Sequence, residues 1–89
     1  MARLEKRDKN FHVVYLGEVK FYFSYETLIA YRIGETLTIS KNDWSKTTGN
    51  HLNKICANKR IRIPYKEFVK REKEMAKLLL IENIMVEQI

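Results

Sequence analysis

WSKTTGNHLNKICANKRIRIPYKEF, residues 44–68, holds the single tryptophan, the single cysteine and the single proline of an 89-residue chain. The residues before it alternate as strands do, and those after it repeat as a helix does, so its own reading decides the fold. Ser45 suits a helix N-cap, because its hydroxyl can accept from backbone N–H groups two or three residues on. Trp44, just before it, suits a staple back onto the first turns. Leu52, Ile55 and Cys56 then lie three and four residues apart on one helical face, with His51 at its margin. Gly49 and two threonines make this helix weak on propensity alone, so packing must hold it. Its exposed side carries Lys46, Asn50, Asn53 and Lys54. Asn58 and Lys59 end it. Residues 60–63, RIRI, alternate as a short fifth strand, with Ile61 and Ile63 inward and Arg60 and Arg62 outward. Pro64 stops that strand and suits the first turn of the next helix.

Upstream, FHVVYL (11–16) and VKFYF (19–23) are rich in β-branched and aromatic residues and read as strands joined by Gly17-Glu18. In the second, Val19, Phe21 and Phe23 share the face expected to meet the core, while Lys20, Tyr22 and Ser24 share the other. TLIAYRI (27–33) is mostly apolar and reads as a central strand. Gly34-Glu35 repeats the earlier turn chemistry and leads into TLTIS (36–40). The expectation is a four-strand antiparallel meander with short links. Residues 1–10, MARLEKRDKN, mix both charge signs and few apolar groups, and read as a flexible, solvated basic start whose Arg3, Lys6, Arg7 and Lys9 can reach toward a polyanion.

Downstream, residues 65–89 read as one helix, about 36 Å long at 1.5 Å per residue. Tyr65, Phe68, Val69, Ala76, Leu79 and Leu80 share a face, flanked by Met75 and Val86. Leu78, Ile81, Met85 and Ile89 form a second apolar stripe nearly opposite. A helix packed on one sheet face has no use for two stripes, so the second is expected to meet a partner: another copy of the chain, giving a homodimer, or a different protein. The competing reading is that the helix breaks before Leu78 and the tail folds back.

The chain carries 17 Lys and Arg against 11 Asp and Glu, a net charge of +6. Residues 41–73 hold ten basic and three acidic groups, a local +7, which leaves −1 over the rest. Such concentration favours phosphate backbones or an acidic protein face, with a solvated, lysine-rich surface as the equal alternative. At 45% apolar residues with ten aromatics, the chain can build one small core. The lone Cys56 excludes an internal disulfide framework, and with no leader at the N-terminus a reducing cytoplasmic setting in a host cell is expected. The longest apolar run is LLLI (78–81), far short of the ~20 residues a membrane span needs.

Catalytic signals are poor. His12 falls in a strand and His51 in a helix, and nothing in the sequence unites them. Cys56 aligns with the apolar helix face, which suits a buried thiol rather than a nucleophile. One cysteine and two distant histidines make no metal pattern, and three scattered glycines make no phosphate loop, so no cofactor, no metal and no enzyme activity are expected. Glu67 pairs with Arg71 at i,i+4 spacing, and Glu72 on the apolar helix face needs a partner. The better signal is for binding. Lys46, Asn50, Asn53, Lys54, Lys59, Arg60 and Arg62 form a candidate nucleic-acid surface, cations for phosphates and amides for hydrogen bonds. Trp44, Tyr22 or Tyr15 would stack bases if exposed, although Trp44 reads first as a packing anchor.

Three segments, SYETLIAYR (24–32), NDWSKTTGNHLNKI (42–55) and RIPYKEF (62–68), resemble a family of small proteins of phages and bacterial mobile elements whose function is unknown. The matching positions in the central segment are Trp44, Ser45, Thr47, Thr48, His51, Leu52 and Asn53, and about half the chain is covered, with residues 69–89 outside. The resemblance implies a viral or mobile-element origin and no defined chemistry. Small phage proteins often bind nucleic acid or block a host protein.

The expectation is therefore an α+β domain over residues 11–89: a four- to five-stranded antiparallel meander, one short helix, and one long C-terminal helix packed across a sheet face. As to function, a non-enzymatic phage accessory protein binding nucleic acid through the basic helix–strand face leads. The alternatives are a protein-interaction module inhibiting a host defence or transcription protein, and a structural virion component.

Overall fold

A computed structural model describes residues 2–87, and the side chains of residues 3–7 and 9–78. The architecture is α+β. Five strands, β1 (Ala2–Asp8), β2 (Phe11–Leu16), β3 (Val19–Ser24), β4 (Thr27–Ile33) and β5 (Thr36–Ile39), form an antiparallel meander in the order β1-β2-β3-β4-β5. Helix α1 (Lys46–Ile55) and the long helix α2 (Tyr65–Glu87) complete the fold. Each strand link is two residues long and contains one backbone in the left-handed region: Asn10, Gly17, Tyr25 and Gly34, with φ between 56° and 61°. Glycine and asparagine adopt this conformation at little cost; Tyr25 does not, and is held by its backbone N–H donating to the Asn10 carbonyl at 2.6 Å.

The N-terminal segment is a correction to the sequence reading. Residues 2–8, expected to be a solvated arm, pair with β2 from Ala2↔Leu16 to Asp8↔Phe11 as the edge of the sheet. Edge strands tolerate charge, because one flank is open to water and lysines and arginines there discourage further pairing. Arg3 lies over the Tyr15 ring at 4.4 Å, and Arg7 donates to the Tyr15 hydroxyl at 2.6 Å.

Register assigns the two helices to opposite sheet faces. Val13, Tyr22, Ala30 and Ile39 form one cross-strand row, and Val14, Phe21, Tyr31 and Thr38 form the next, pointing the other way. Ala30 and Ile39 join Phe11, Ile29 and Leu52 in one buried cluster, with Tyr22, Leu37, Trp44, Ile55 and Cys56 packed against it, so α1 covers that face. Tyr31 joins Phe68 and Met75 in a second cluster, with Phe21, Leu28, Ile63 and Tyr65 around it, so α2 covers the other. Hence Ser24, on the face opposite Phe21 and Phe23, is fully buried rather than solvated. Cys56 packs at the end of α1 on its apolar side, as the spacing predicts.

Residues 60–63 are the second correction. Lys59–Ile61 is a 3₁₀ turn capped by the Asn58 side chain, and only Ile63 makes a bridge, parallel to Ser40. The facing is inverted at the two middle residues, Ile61 being 43% exposed and Arg62 8% exposed, while Arg60 stays outward and Ile63 packs inward against the Tyr31–Phe68 cluster. Eclipsed 3₁₀ geometry breaks the alternation of two that RIRI suggests. Helix α2 is continuous past Leu78, which is exposed; of the second stripe, Ile81, Met85 and Ile89 lie outside the described side chains, as do Leu79, Leu80 and Val86. No described helix is long and apolar enough to cross a membrane.

Candidate nucleic-acid interface

The basic face begins with how α1 is held. Ser45 caps it, accepting from the Thr48 N–H at 3.2 Å. Asn42 organises the loop before it, accepting from the Trp44 N–H and donating to the Ser45 carbonyl, each at 3.0 Å. A Cβ on Gly49 would meet the Asn42 amide nitrogen at 2.8 Å, so the glycine lets helix and loop approach. On the buried side, Ser24 Oγ shares hydrogen bonds with Thr48 Oγ1 at 2.8 Å and with His51 Nδ1 at 2.7 Å. The His51 ring stacks on Phe11 at 4.9 Å. Trp44 meets Tyr65 edge to face at 5.0 Å, which ties α1 to α2.

With its apolar side so fixed, α1 turns its polar side outward between two open grooves. The first, of about 410 Å³, is lined by Lys41, Asn42, Lys46, Gly49, Asn50, Asn53, Lys59 and Arg62. The second, of about 370 Å³, takes Asn50 from its other flank, with Lys9, Tyr25, Thr47 and Lys54 among its walls. No described carboxylate lines either groove. Of the seven residues proposed from sequence, Lys46, Asn50, Asn53, Lys59 and Arg62 converge on the first groove and Lys54 on the second, while Arg60 is exposed but lines neither.

Two of them serve the fold as well. Arg62 Nη2 donates to Asn53 Oδ1 at 2.8 Å and to the Cys56 carbonyl at 3.1 Å, so the arginine clasps the end of α1 instead of reaching into solvent. Its Nε is buried and has no acceptor among the described residues.

Sequence reasoning passed over a second cationic strip. Arg3, Tyr15, Lys20 and Arg32 are direct cross-strand neighbours in one row. That row lies two residues along from Val13, Tyr22 and Ala30, hence on the face that α1 covers. Lys20 also approaches the Tyr15 ring at 5.7 Å. Pairing each Lys or Arg with its partner across the hairpin links would have revealed the strip, but only once residues 2–8 were read as a strand. Of the three aromatics expected to stack if exposed, Trp44 and Tyr22 pack against the core and Tyr15 lies in the cationic strip. His12 lies opposite Phe23, on the face that α2 covers, and so is separated from His51 by the sheet.

Comparison with known proteins adds the family. The chain belongs to a family of unknown function (DUF8033), which matches residues 2–70. The match begins with β1 and ends in the first turns of α2. No curated protein and no solved structure matches the chain. Within the matched span, Trp44, Ser45, Thr48, His51, Leu52 and Asn53 all cap, pack or anchor α1, while Thr47 is exposed.

Proposed function

We propose that this protein binds nucleic acid, without catalysing a reaction, by seating the phosphate backbone along the polar side of α1. The observation that carries the proposal is the first groove, where Lys41, Lys46 and Lys59 meet Asn42, Asn50 and Asn53 with no described carboxylate among them. Cations without acidic neighbours attract a polyanion, and the amides add short-range hydrogen bonds. The strip of Arg3, Lys20 and Arg32 on the same sheet face lengthens the favourable field beyond the helix. We further propose a phage or mobile-element protein acting in the host cytoplasm, as the segment resemblance suggests.

The test is a salt titration with a short duplex. Four cations line the groove, and if each neutralises one phosphate the slope of log K against log salt is about −3.6. Affinity then falls about 150-fold between 50 and 200 mM salt. Lys59→Ala flattens the slope by about 0.9. A duplex and a single strand that both fail to bind at 50 mM salt refute the reading.

A second reading, a protein-interaction module, rests on Leu78, a large apolar side chain 64% exposed on α2 beyond the sheet contact. Its simplest form is a homodimer through α2.

A further inference from the structure

We infer that the first groove is a built site for a single phosphoryl group, anchored on the Arg62 guanidinium. The inference rests on the proposed phosphate-binding role of the groove, and adds a discrete ligand position to what is otherwise a diffuse field.

Arg62 carries the argument. Its side chain is more than nine-tenths buried, yet among the described residues no carboxylate pairs with it. A guanidinium offers five N–H donors in a planar fork. Here Nη2 is used, on the Asn53 side-chain oxygen and the Cys56 carbonyl, both neutral. Nε is buried with no acceptor among the described residues. Burying a charge without an opposite charge is costly, and arginine stays charged under all ordinary conditions. An anion held in the groove that Arg62 lines offsets part of that cost.

The surroundings select the anion. Lys41, Lys46 and Lys59 line the same groove, so the site holds up to four positive charges and no described negative one. A monovalent halide would leave most of that charge and most of the donors uncompensated. A phosphoryl group brings up to two negative charges and three oxygens, and its geometry matches a guanidinium fork. The Asn42, Asn50 and Asn53 side chains line the same groove and add polar groups beside the cations. Lys59 arrives from the 3₁₀ turn and Lys46 from the first turn of α1, so two separately anchored elements line the one groove.

The phosphoryl group has two sources: an internal phosphodiester of a nucleic acid, or a free or terminal phosphate monoester. The test uses the full chain labelled with ¹⁵N and follows the Arg62 Nε–H resonance, assigned by its loss in Arg62→Lys. Inorganic phosphate is titrated with ionic strength held constant by chloride, in parallel with a 5′-mononucleotide and with a duplex lacking terminal phosphates. The expected result is a saturable shift of that resonance with inorganic phosphate and none with chloride. Lys41→Ala weakens phosphate about tenfold, the loss of one charge-assisted hydrogen bond. A shift from the mononucleotide but not the duplex assigns the monoester source, and a shift from both assigns the phosphodiester. An Arg62 resonance unmoved by inorganic phosphate overturns the inference, even if the duplex binds with a steep salt slope; the nucleic-acid reading then stands alone. A phosphate response with no duplex binding does the reverse.

Discussion

Ser24→Ala tests whether the central motif holds the structure together. Ser24 Oγ joins two elements, bonding Thr48 Oγ1 and His51 Nδ1 on α1 from the end of β3, and all three side chains are buried. Removing one hydroxyl deletes two buried hydrogen bonds, each worth about 1 kcal/mol net. Thr48 Oγ1 keeps a long contact of 3.4 Å from Ser45, which softens the loss on that side. The expected cost is about 2 kcal/mol, or a fall in Tm of about 8–16 °C for a domain of this size. Trp44, the only tryptophan, sits where α1 and α2 meet and reports unfolding in urea by its fluorescence. Thr47→Ala, one position away but exposed, should stay within about 0.5 kcal/mol of wild type. Thr48→Val should lose less in a Ser24→Ala background than alone, because the two share a bond. A Ser24→Ala protein as stable as Thr47→Ala would refute the reasoning and open Thr48 and His51 to a role other than packing.

Gly49→Ala should lower stability by about 1 kcal/mol, because displacing the Asn42 side chain loses two hydrogen bonds of about 1 kcal/mol each against a gain of about 1 kcal/mol in helix propensity. The sign is the test: urea unfolding that shows a gain would mean the Asn42 side chain yields freely to a Cβ placed 2.8 Å away. If α2 pairs two copies, Leu78→Asp should convert a dimer to a monomer in size exclusion with light scattering, with no change in Tm at low concentration. A wild-type monomer at 100 µM, on the order of the weakest useful self-association, removes the homodimer.

Much of the fold was legible because the strands announce themselves. Residues 11–16, 27–33 and the Gly17 and Gly34 links read from sequence as the structure has them, since β-branched and aromatic runs punctuated by glycine leave few alternatives. The Ser45 cap and the buried face of α1 were equally direct. Residues 2–8 were missed because an edge strand needs backbone pairing more than apolar alternation, and its charges were read as solvation. RIRI misled for the opposite reason: a perfect alternation of two arose over a 3₁₀ turn, and the arginine went inward because Asn53 and the Cys56 carbonyl offered it acceptors. The candidate site suffered less. Its lysines were found on the exposed side of α1, but Lys41 and the Arg3–Lys20–Arg32 row depend on loop and register, which no local pattern displays.

The three segments that carry the family resemblance meet one another in space. Ser24 of the first bonds Thr48 and His51 of the second. Asn53 of the second bonds Arg62 of the third, and Trp44 packs on Tyr65. Tyr31 of the first packs on Phe68 of the third. A pattern whose members contact each other pairwise encodes a packing solution, so the resemblance is a signature of this fold. Lys41, Lys46, Asn50 and Lys59 stand outside the matching positions of the central segment, yet they supply most of the polar groove wall. The groove's shape thus derives from the interlock, since Gly49 against Asn42 and Asn53 against Arg62 set its floor. Three of its four positive charges, Lys41, Lys46 and Lys59, come from side chains that the interlock leaves unconstrained. Lys46→Glu and Lys59→Glu together should therefore leave Tm within about 3 °C of wild type, because both side chains are exposed, while abolishing duplex binding. Were the double variant to unfold instead, charge and packing would not be separable here, and the groove would belong to the fold rather than to a ligand.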